Sequence, residues 1–405
     1  MIVEPESVGL SKARLQRVAQ HLEAKYVAPG KIAGCLTLVA RKGQVAYLEA
    51  QGLMDRERNR PMADDTIFRI YSMSKPVASV ALMSLYEEGA FELSTPVSRF
   101  IPEFRNLRVY AQGTHPNFVT TRSEREMNVK DLLTHMSGLT YGFMYRTNVD
   151  HGYRRIGLDN PQDDGSTLED FVAKLAQMPL EFSPGTAWNY SVSTDVVGRL
   201  VELISGKSLD VFLRERIFEP LGMLDTAFEI PEASLPRFAA NYGRNRRKQL
   251  VLEDDPMASR YRNVTMFSGG GGLVSTAHDY FRFCQMLLAG GELDGRRILG
   301  RKTIELMSTN HLPNDGDLHG LSVGRFGEVE FEGTGFGLGF SVNQGASRAG
   351  QIGSAGEYAW GGAASTLFWI DPTEDLVVVF MTQLMPSRTF NFRGQLKSLI
   401  YSSLL

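Results

Sequence analysis

The segment that constrains this chain most runs from Ser72 to Glu88. It opens with Ser72-Met73-Ser74-Lys75-Pro76, and Val77, Val80, Ala81, Met83 and Leu85 then spread apolar side chains around most of its circumference. A helix that is apolar nearly all round cannot lie on a surface. The pattern therefore predicts a buried helix from about Ser72 to Glu88, stopped by Gly89, with the remaining chain built around it. At 405 residues and 43% hydrophobic composition there is enough chain for such walls.

The walls can be read in outline. Ser11 caps a helix whose Leu15, Val18, Ala19, Leu22 and Tyr26 recur at helical spacing, and Gly30 lies past its end. Cys35–Ala40 and Val45–Leu48, joined by Lys42-Gly43, read as a β-hairpin, and Thr66–Ile70 as a further short strand. Residues 105–264 carry helical patterns at Val129–Thr134, Leu168–Gln177, Thr194–Ile204 and Leu209–Ile217, without convincing strands. A helix at Ala277–Leu288 follows the glycine run Gly269–Gly272. Strands are then expected at Gly335–Val342, Tyr358–Ile370 and Leu376–Thr382, with a turn at Asp371–Glu374 and a closing helix bearing Phe392, Leu396, Leu399 and Ile400. The expected fold is α+β, an α/β sandwich: an antiparallel sheet flanked by helices, plus an inserted, mostly helical domain. Residues 1–104 and 265–405 would form the discontinuous α/β domain and 105–264 the helical one, with the active site between them.

Charge and composition remove several classes of function. A net charge of −3, with scattered Arg residues, offers no surface for neutralising phosphates, so no nucleic-acid partner is expected. No apolar run approaches the ~18 residues of a membrane span, and the N-terminus lacks a basic n-region and an apolar h-region; a cytoplasmic protein without membrane partners is expected. Cys35 and Cys284 sit in apolar segments and read as core residues. Nothing in the chain indicates an oligomeric state.

The candidate chemistry starts at Ser72 and Lys75. At positions i and i+3 of a helix their side chains share a face, and Pro76 keeps the helix from beginning much earlier. A hydroxyl with an amine one turn on is a nucleophile–base arrangement if apolar surroundings disfavour the ammonium form. Backbone N–H groups at the helix start can meet a developing oxyanion. Only Lys75 among the lysines has Ser three positions before it. Phe182–Ser191 holds a Pro184-Gly185 turn and places Tyr190 just before a helix. Trp360-Gly361-Gly362-Ala363 puts paired glycines in a strand, which marks a bulge or a close approach of backbone or ligand. Other motifs fail. Gly320-Leu321-Ser322-Val323-Gly324 matches G-x-S-x-G, but a loop is expected before it, and no histidine follows Ser322, His319 being the last. His311, Asp315, Asp317 and His319 match no metal-binding spacing, and Gly269–Gly272 lacks the Lys of a phosphate loop. No metal and no cofactor is expected.

Taken together and in this order, the three motifs resemble the serine β-lactamase and penicillin-recognising superfamily, and more narrowly the class C β-lactamase-like family VIII carboxylesterases. Asp131–Leu139, Glu219-Pro220-Leu221-Gly222-Met223 with Thr226, and Gly270-Gly271-Gly272-Leu273 followed by Asp279 fit the same resemblance, which spans almost the whole chain. It implies Ser72 as acyl-accepting nucleophile, with Lys75 and Tyr190 moving its proton. The backbone N–H groups of Ser72 and Ala363 would serve as oxyanion donors. Trp360, Gly361 and Gly362 would form the substrate-binding strand edging the site, with the Trp360 indole against an apolar acyl or alcohol group; Tyr141 would line the pocket, and His135 would be structural.

Two departures bear on substrate. Val192 stands where the family's Y-x-N motif has Asn, and Trp360 where its K-T-G motif has Lys. Both changes remove polar groups, including the cation that would meet a substrate carboxylate. The reading is a serine carboxylesterase acting on small, short-chain esters through an acyl-enzyme. Acyl transfer to an alcohol on the same site is the alternative; β-lactamase or D-alanyl peptidase activity and a non-catalytic binding module follow behind it.

Overall fold

The computed structural model describes residues 2–159, 165–325 and 328–405. Its centre is an eight-stranded sheet: β1 (Gly34–Arg41), β2 (Gln44–Asp55), β3 (Arg60–Pro61), β4 (Thr334–Phe336), β5 (Ser341–Asn343), β6 (Tyr358–Gly361), β7 (Leu367–Asp371) and β8 (Leu376–Thr382). Their order across the sheet is β4-β5-β6-β7-β8-β1-β2-β3, and each paired neighbour is antiparallel. The first and last parts of the chain thus meet in one ladder, Cys35 opposite Thr382 and Arg41 opposite Leu376. β8 is buried throughout and β1 along all but its last residue, as strands covered on both faces must be.

Five helices frame this sheet and the site: α1 (Lys12–Leu22), α2 (Ser74–Glu87), α3 (Ser193–Ser205), α4 (Ala277–Leu288) and α5 (Phe392–Tyr401). On one face, Leu15, Val18 and Leu22 of α1 and Leu396 and Ile400 of α5 close a core over Val39, Val378 and Phe380. On the other, α4 packs on β8 and the large core continues through α2 into the helices of 129–221. α2 lies between: Ser74 to Leu85 is buried without interruption, and α3 packs against it. Its all-round apolar surface is satisfied from every side, as the sequence requires.

Several local expectations change. Ser72 does not begin the α-helix; it sits in a single 3-10 turn, Tyr71–Met73, ahead of α2. The stretch Gly335–Val342 is not one strand but the β4–β5 hairpin. A Cβ on Gly337 would fall 2.1 Å from the Met307 carbonyl oxygen, and Gly339 turns the chain at φ +96°. Tyr358–Ile370 is likewise a hairpin, β6–β7, turned at Gly362–Thr366 with Ser365 at φ +66°. Residues 105–264 hold two hairpins the pattern did not reveal, Arg108–Thr114 with Asn117–Arg122 and Asn241–Arg244 with Leu250–Asp254. The first is mostly solvent-exposed, so its strands need no apolar alternation. A short helix, Leu318–Leu321, precedes Ser322 where a loop was expected. Cys35 and Cys284 are buried and unpaired. Among the described residues no helix is long and apolar enough to cross a membrane.

Candidate active site

Three elements distant in sequence converge on Ser72. The 3-10 turn ahead of α2 carries the hydroxyl, α2 carries Lys75, and the segment leading into α3 carries Tyr190. Tyr190 Oη donates to Ser72 Oγ at 2.6 Å, and Lys75 Nζ donates to the same oxygen at 3.2 Å. Tyr190 and Lys75 are both shut away from solvent, and Ser72 is 9% exposed. Tyr71, just before Ser72, has φ +43°, an uncommon value for a bulky residue and a local backbone strain beside the site.

Lys75 has a second tether. Its Nζ donates to the Gly270 carbonyl at 2.6 Å and lies 4.6 Å above the Tyr190 ring and 5.3 Å from the centre of the Tyr141 ring. The glycine run, discounted as a phosphate loop, is therefore a close-packing device. A Cβ on Gly270 would fall 2.7 Å from Asp195 Oδ2 and 3.0 Å from the Tyr141 hydroxyl. Asp195, in the first turn of α3, holds this loop through Ser268 Oγ (2.5 Å) and the Gly270 amide (3.1 Å). Ser74 Oγ anchors its far end by accepting from the Leu273 amide at 3.1 Å.

Burial fixes the protonation of the pair. It is the main influence on Lys75, whose pKa falls to about 7, partly opposed by the negative charges of Asp195 and Glu328. Burial likewise holds the Tyr190 phenol well above its ordinary range, so the phenol stays neutral at physiological pH. Lys75 is thus the group able to take a proton near neutrality, and Tyr190 the group with one to give.

The third motif is arranged differently from the expectation. Trp360 does not face the cavity. Its indole is fully buried behind Tyr190, with ring centres 5.6 Å apart, and meets the Phe336 ring edge-on at 5.3 Å. Strand alternation explains this: Trp360 on β6 points into the core. Gly362 lets the strand reach the turn that carries Ser72, since a Cβ there would lie 2.3 Å from the Ile70 carbonyl oxygen. Gly361 backs onto Arg393 and Glu328 instead. Ala363 does line the cavity, together with Ser72, Tyr141, Tyr190 and Val192.

This cavity measures about 170 Å³. Tyr141 stacks on Phe143 at its wall, with ring centres 4.6 Å apart and planes 19° from parallel. Sequence reading missed four charged members: Asp159, Asp195, Glu328 and Arg260. None belongs to a recognisable spacing, and only the fold brings them together. His135 is structural, its ring packed among Trp188, Tyr190 and Phe336 with Nδ1 3.2 Å from Ser191 Oγ, and burial keeps it neutral. Ser322 is turned away and bonded to the Gly324 carbonyl. Among the described residues no cluster of three or more His, Cys, Asp or Glu could hold a metal ion. Asp317 caps its short helix and Asp315 faces Arg348.

Comparison with known proteins bears on the fold and the family. The β-lactamase family pattern matches residues 19–400. Protein Rv1367c of Mycobacterium tuberculosis is 34% identical over 361 residues, covering 88% of this chain and 87% of that protein. Esterase EstB of Burkholderia gladioli is 30% identical over 400 residues, 94% of this chain and 93% of its own. Among solved structures, EstCE1, described as a hydrolase with promiscuous acyltransferase activity, superposes with a TM-score of 0.78 at 27% identity, over 96% of this chain and 98% of the other. The chain belongs to the β-lactamase family, as a β-lactamase-fold serine hydrolase of the esterase type.

Proposed function

We propose that the chain is a carboxylesterase that hydrolyses small, short-chain esters through an acyl-enzyme on Ser72. The observation that carries this reading is the convergence of Tyr190 Oη and Lys75 Nζ on Ser72 Oγ inside a small cavity. Neutral Lys75 accepts the Ser72 proton as Oγ attacks the ester carbonyl. The oxyanion forms against the backbone N–H groups of Ser72 and Ala363. On collapse the ester C–O bond breaks, and the leaving alkoxide takes the Tyr190 phenolic proton, which Lys75 replaces. Water then attacks the acyl carbonyl with the same groups in reversed roles, releasing the acid and restoring Ser72. In this reading Lys75 comes from the unit formed by residues 1–104 and 265–405, and Tyr190 and Tyr141 from 105–264, with the site between them.

The substrate class follows from the walls. A cavity of about 170 Å³ suits a short acyl group. Three carboxyl groups beside a single Arg260 in the lining disfavour a substrate that carries its own carboxylate, and Val192 offers no amide to a peptide-like group. Acyl transfer to an alcohol uses the same intermediate, and the promiscuous acyltransferase activity of the similar EstCE1 favours it as the second reading. The test is mass spectrometry after a fluorophosphonate, with an adduct expected on Ser72, followed by turnover of p-nitrophenyl acetate with and without added alcohol. Labelling elsewhere, on Ser322 for instance, overturns the assignment.

A further inference from the structure

Asp195 is buried at the wall of the Ser72 cavity, and no step of the acyl-enzyme route uses it. It is the third residue of α3. Three other helices carry aspartate at the same position: Asp131 in Val129–Leu133, Asp150 in Asn148–Arg155 and Asp170 in Leu168–Leu175. Each turns back to accept from the backbone N–H of its own cap residue, Asn128, Thr147 or Thr167, at 2.9, 2.8 and 2.9 Å. α3 has Val192 at that cap position and no side-chain cap. Its aspartate reaches out of the helix instead, to the glycine loop.

One carboxyl oxygen fixes that loop at two points. Asp195 Oδ1 accepts from Ser268 Oγ at 2.5 Å and from the Gly270 N–H at 3.1 Å. The Ser268 carbonyl in turn accepts from the Gly271 N–H at 3.3 Å and the Gly272 N–H at 2.9 Å. The peptide plane before Gly270 is therefore held by Asp195 directly, and the plane after it by Asp195 through Ser268. The second plane carries the Gly270 carbonyl, which accepts from Lys75 Nζ at 2.6 Å. The seat requires glycine: a Cβ on Gly270 would lie 2.7 Å from Asp195 Oδ2, and one on Gly269 2.7 Å from the Thr194 carbonyl oxygen. Lys75 can take the Ser72 proton only with its lone pair turned to Oγ. A Gly270 carbonyl fixed in direction holds one amine hydrogen and so limits rotation about the Lys75 Cε–Nζ bond.

We propose that Asp195 is a positioning residue of proton transfer: through Ser268 and Gly270 it aims the carbonyl that orients the Lys75 amine. This rests on the Ser72–Lys75–Tyr190 reading. The role needs an oxygen acceptor on this side chain, so an amide should replace the carboxyl group.

The experiment compares Asp195→Ala, Asp195→Asn and Ser268→Ala with the parent on p-nitrophenyl acetate, at a pH above the Lys75 titration, with sites counted by complete fluorophosphonate labelling of Ser72. Per labelled site, kcat of Asp195→Ala is expected to fall on the order of 10- to 10²-fold, with a smaller change in KM. Asp195→Asn keeps Oδ1 as an acceptor and should stay near the parent. Ser268→Ala should fall less than Asp195→Ala, and the double variant no further than Asp195→Ala alone, because Ser268 acts through the same oxygen. An Asp195→Ala variant with fewer labelled sites but the parent's kcat per site overturns the proposal and leaves a structural role. An Asp195→Asn variant as slow as Asp195→Ala also overturns it, since charge and not loop geometry would then matter. Should Asp195→Ala fail to fold, Ser268→Ala decides by the same readout, and a parental kcat per site there sinks the role. A parent that hydrolyses the ester without labelling on Ser72 sinks the Ser72 reading itself, whereas a labelled Ser72 with an unmoved kcat sinks only the part of Asp195.

Discussion

Tyr190 donates its phenolic hydrogen to the Ser72 oxygen over 2.6 Å, although 118 residues separate the two in sequence. The contact joins the turn ahead of α2 to the entrance of α3, and α2 packs against α3 along their lengths. Ser72 and Tyr190 are therefore held by a helix pair whose packing core is continuous with the site. Such a site is preorganised by burial, with little side-chain freedom left to lose on binding.

The nucleophile is tested first. Ser72→Ala removes the oxygen on which Tyr190 and Lys75 converge, so ester turnover should fall by at least ~10³-fold. The fold should persist, since Ser72 contributes one small side chain at the cavity surface. Circular dichroism and thermal melting on the variant check that separation; retained turnover on a correctly folded variant removes Ser72 from its role.

Tyr190 and Lys75 should behave as one unit. Tyr190→Phe keeps the ring packing on Trp360 and Tyr141 and deletes only the hydroxyl. It should cost on the order of 10²-fold or more in kcat, with a smaller change in KM. Lys75→Ala should be at least as damaging, and the double variant little worse than the poorer single one. Losses that multiply in the double variant would contradict a shared proton path.

The pH profile follows from Lys75. Its pKa of about 7 in the folded protein lies far below that of a free lysine, because burial penalises the ammonium. kcat/KM should therefore rise with pH through about 7 and then level off, about tenfold lower one unit below the midpoint. The same shift affects stability with a definite sign. The unfolded chain binds the Lys75 proton more tightly, so this residue's destabilising contribution is full below about pH 7 and fades as pH rises toward the unfolded value. Lys75→Met should consequently raise the melting temperature more at pH 6 than at pH 9. An equal effect at both pH values would mean that Lys75 is not buried as a titrating amine.

Gly362 offers a steric test of the third motif. Its backbone angle is open to any residue, but a Cβ would collide with the Ile70 carbonyl oxygen and Thr366 Oγ1, each at 2.3 Å. Gly362→Ala should push the strand away from the nucleophile turn and destabilise by about 1–3 kcal/mol, with a fall in kcat. Gly320→Ala is the control: the new methyl there would meet nothing nearer than 3.5 Å. Comparable losses from both substitutions would show that the close approach at Ile70 has no special weight.

What the sequence disclosed and what it concealed divide along physical lines. α2, α4 and β8 were legible because burial writes itself as apolar runs at fixed periods, and each falls within about two residues of its expected bounds. Ser72, Lys75 and Tyr190 were legible because a nucleophile–base pair one helical turn apart, followed by a tyrosine at a helix entrance, forms a spaced motif. The direction of Trp360 was not, since a glycine-rich strand can present either face until its hairpin is closed at Gly362–Thr366. Asp195, Arg260 and Glu328 were hidden for a different reason: each comes from a different segment, and no spacing relates them. The carbonyl of Gly270, which holds Lys75, had no side chain to announce it.

Specificity gives the last prediction, and the position of Trp360 alters its form. A Lys in place of Trp360 would not present a cation to the cavity, because the side chain there lies behind Tyr190 and against Phe336. Trp360→Lys would instead bury an ammonium and leave a void where the indole packed, at a cost on the order of 3–5 kcal/mol. It should lower the melting temperature and ester turnover together and create no activity toward carboxylate-bearing substrates. Discrimination in the parent enzyme is expected from the cavity wall, where the carboxyl groups of Asp159, Asp195 and Glu328 offer no cation to a substrate carboxylate and Val192 supplies no amide. Neutral short esters such as p-nitrophenyl acetate or butyrate should be turned over far faster than a chromogenic cephalosporin. Among the described residues Arg260 is the cation of the wall, and Arg260→Ala should leave the neutral esters little affected. The comparison that decides is kcat/KM for the two substrate types at the plateau pH. A cephalosporin preferred by tenfold, about 1.4 kcal/mol in transition-state binding, would mean that Arg260 outweighs the three carboxylates, and the esterase reading would give way to a β-lactamase one.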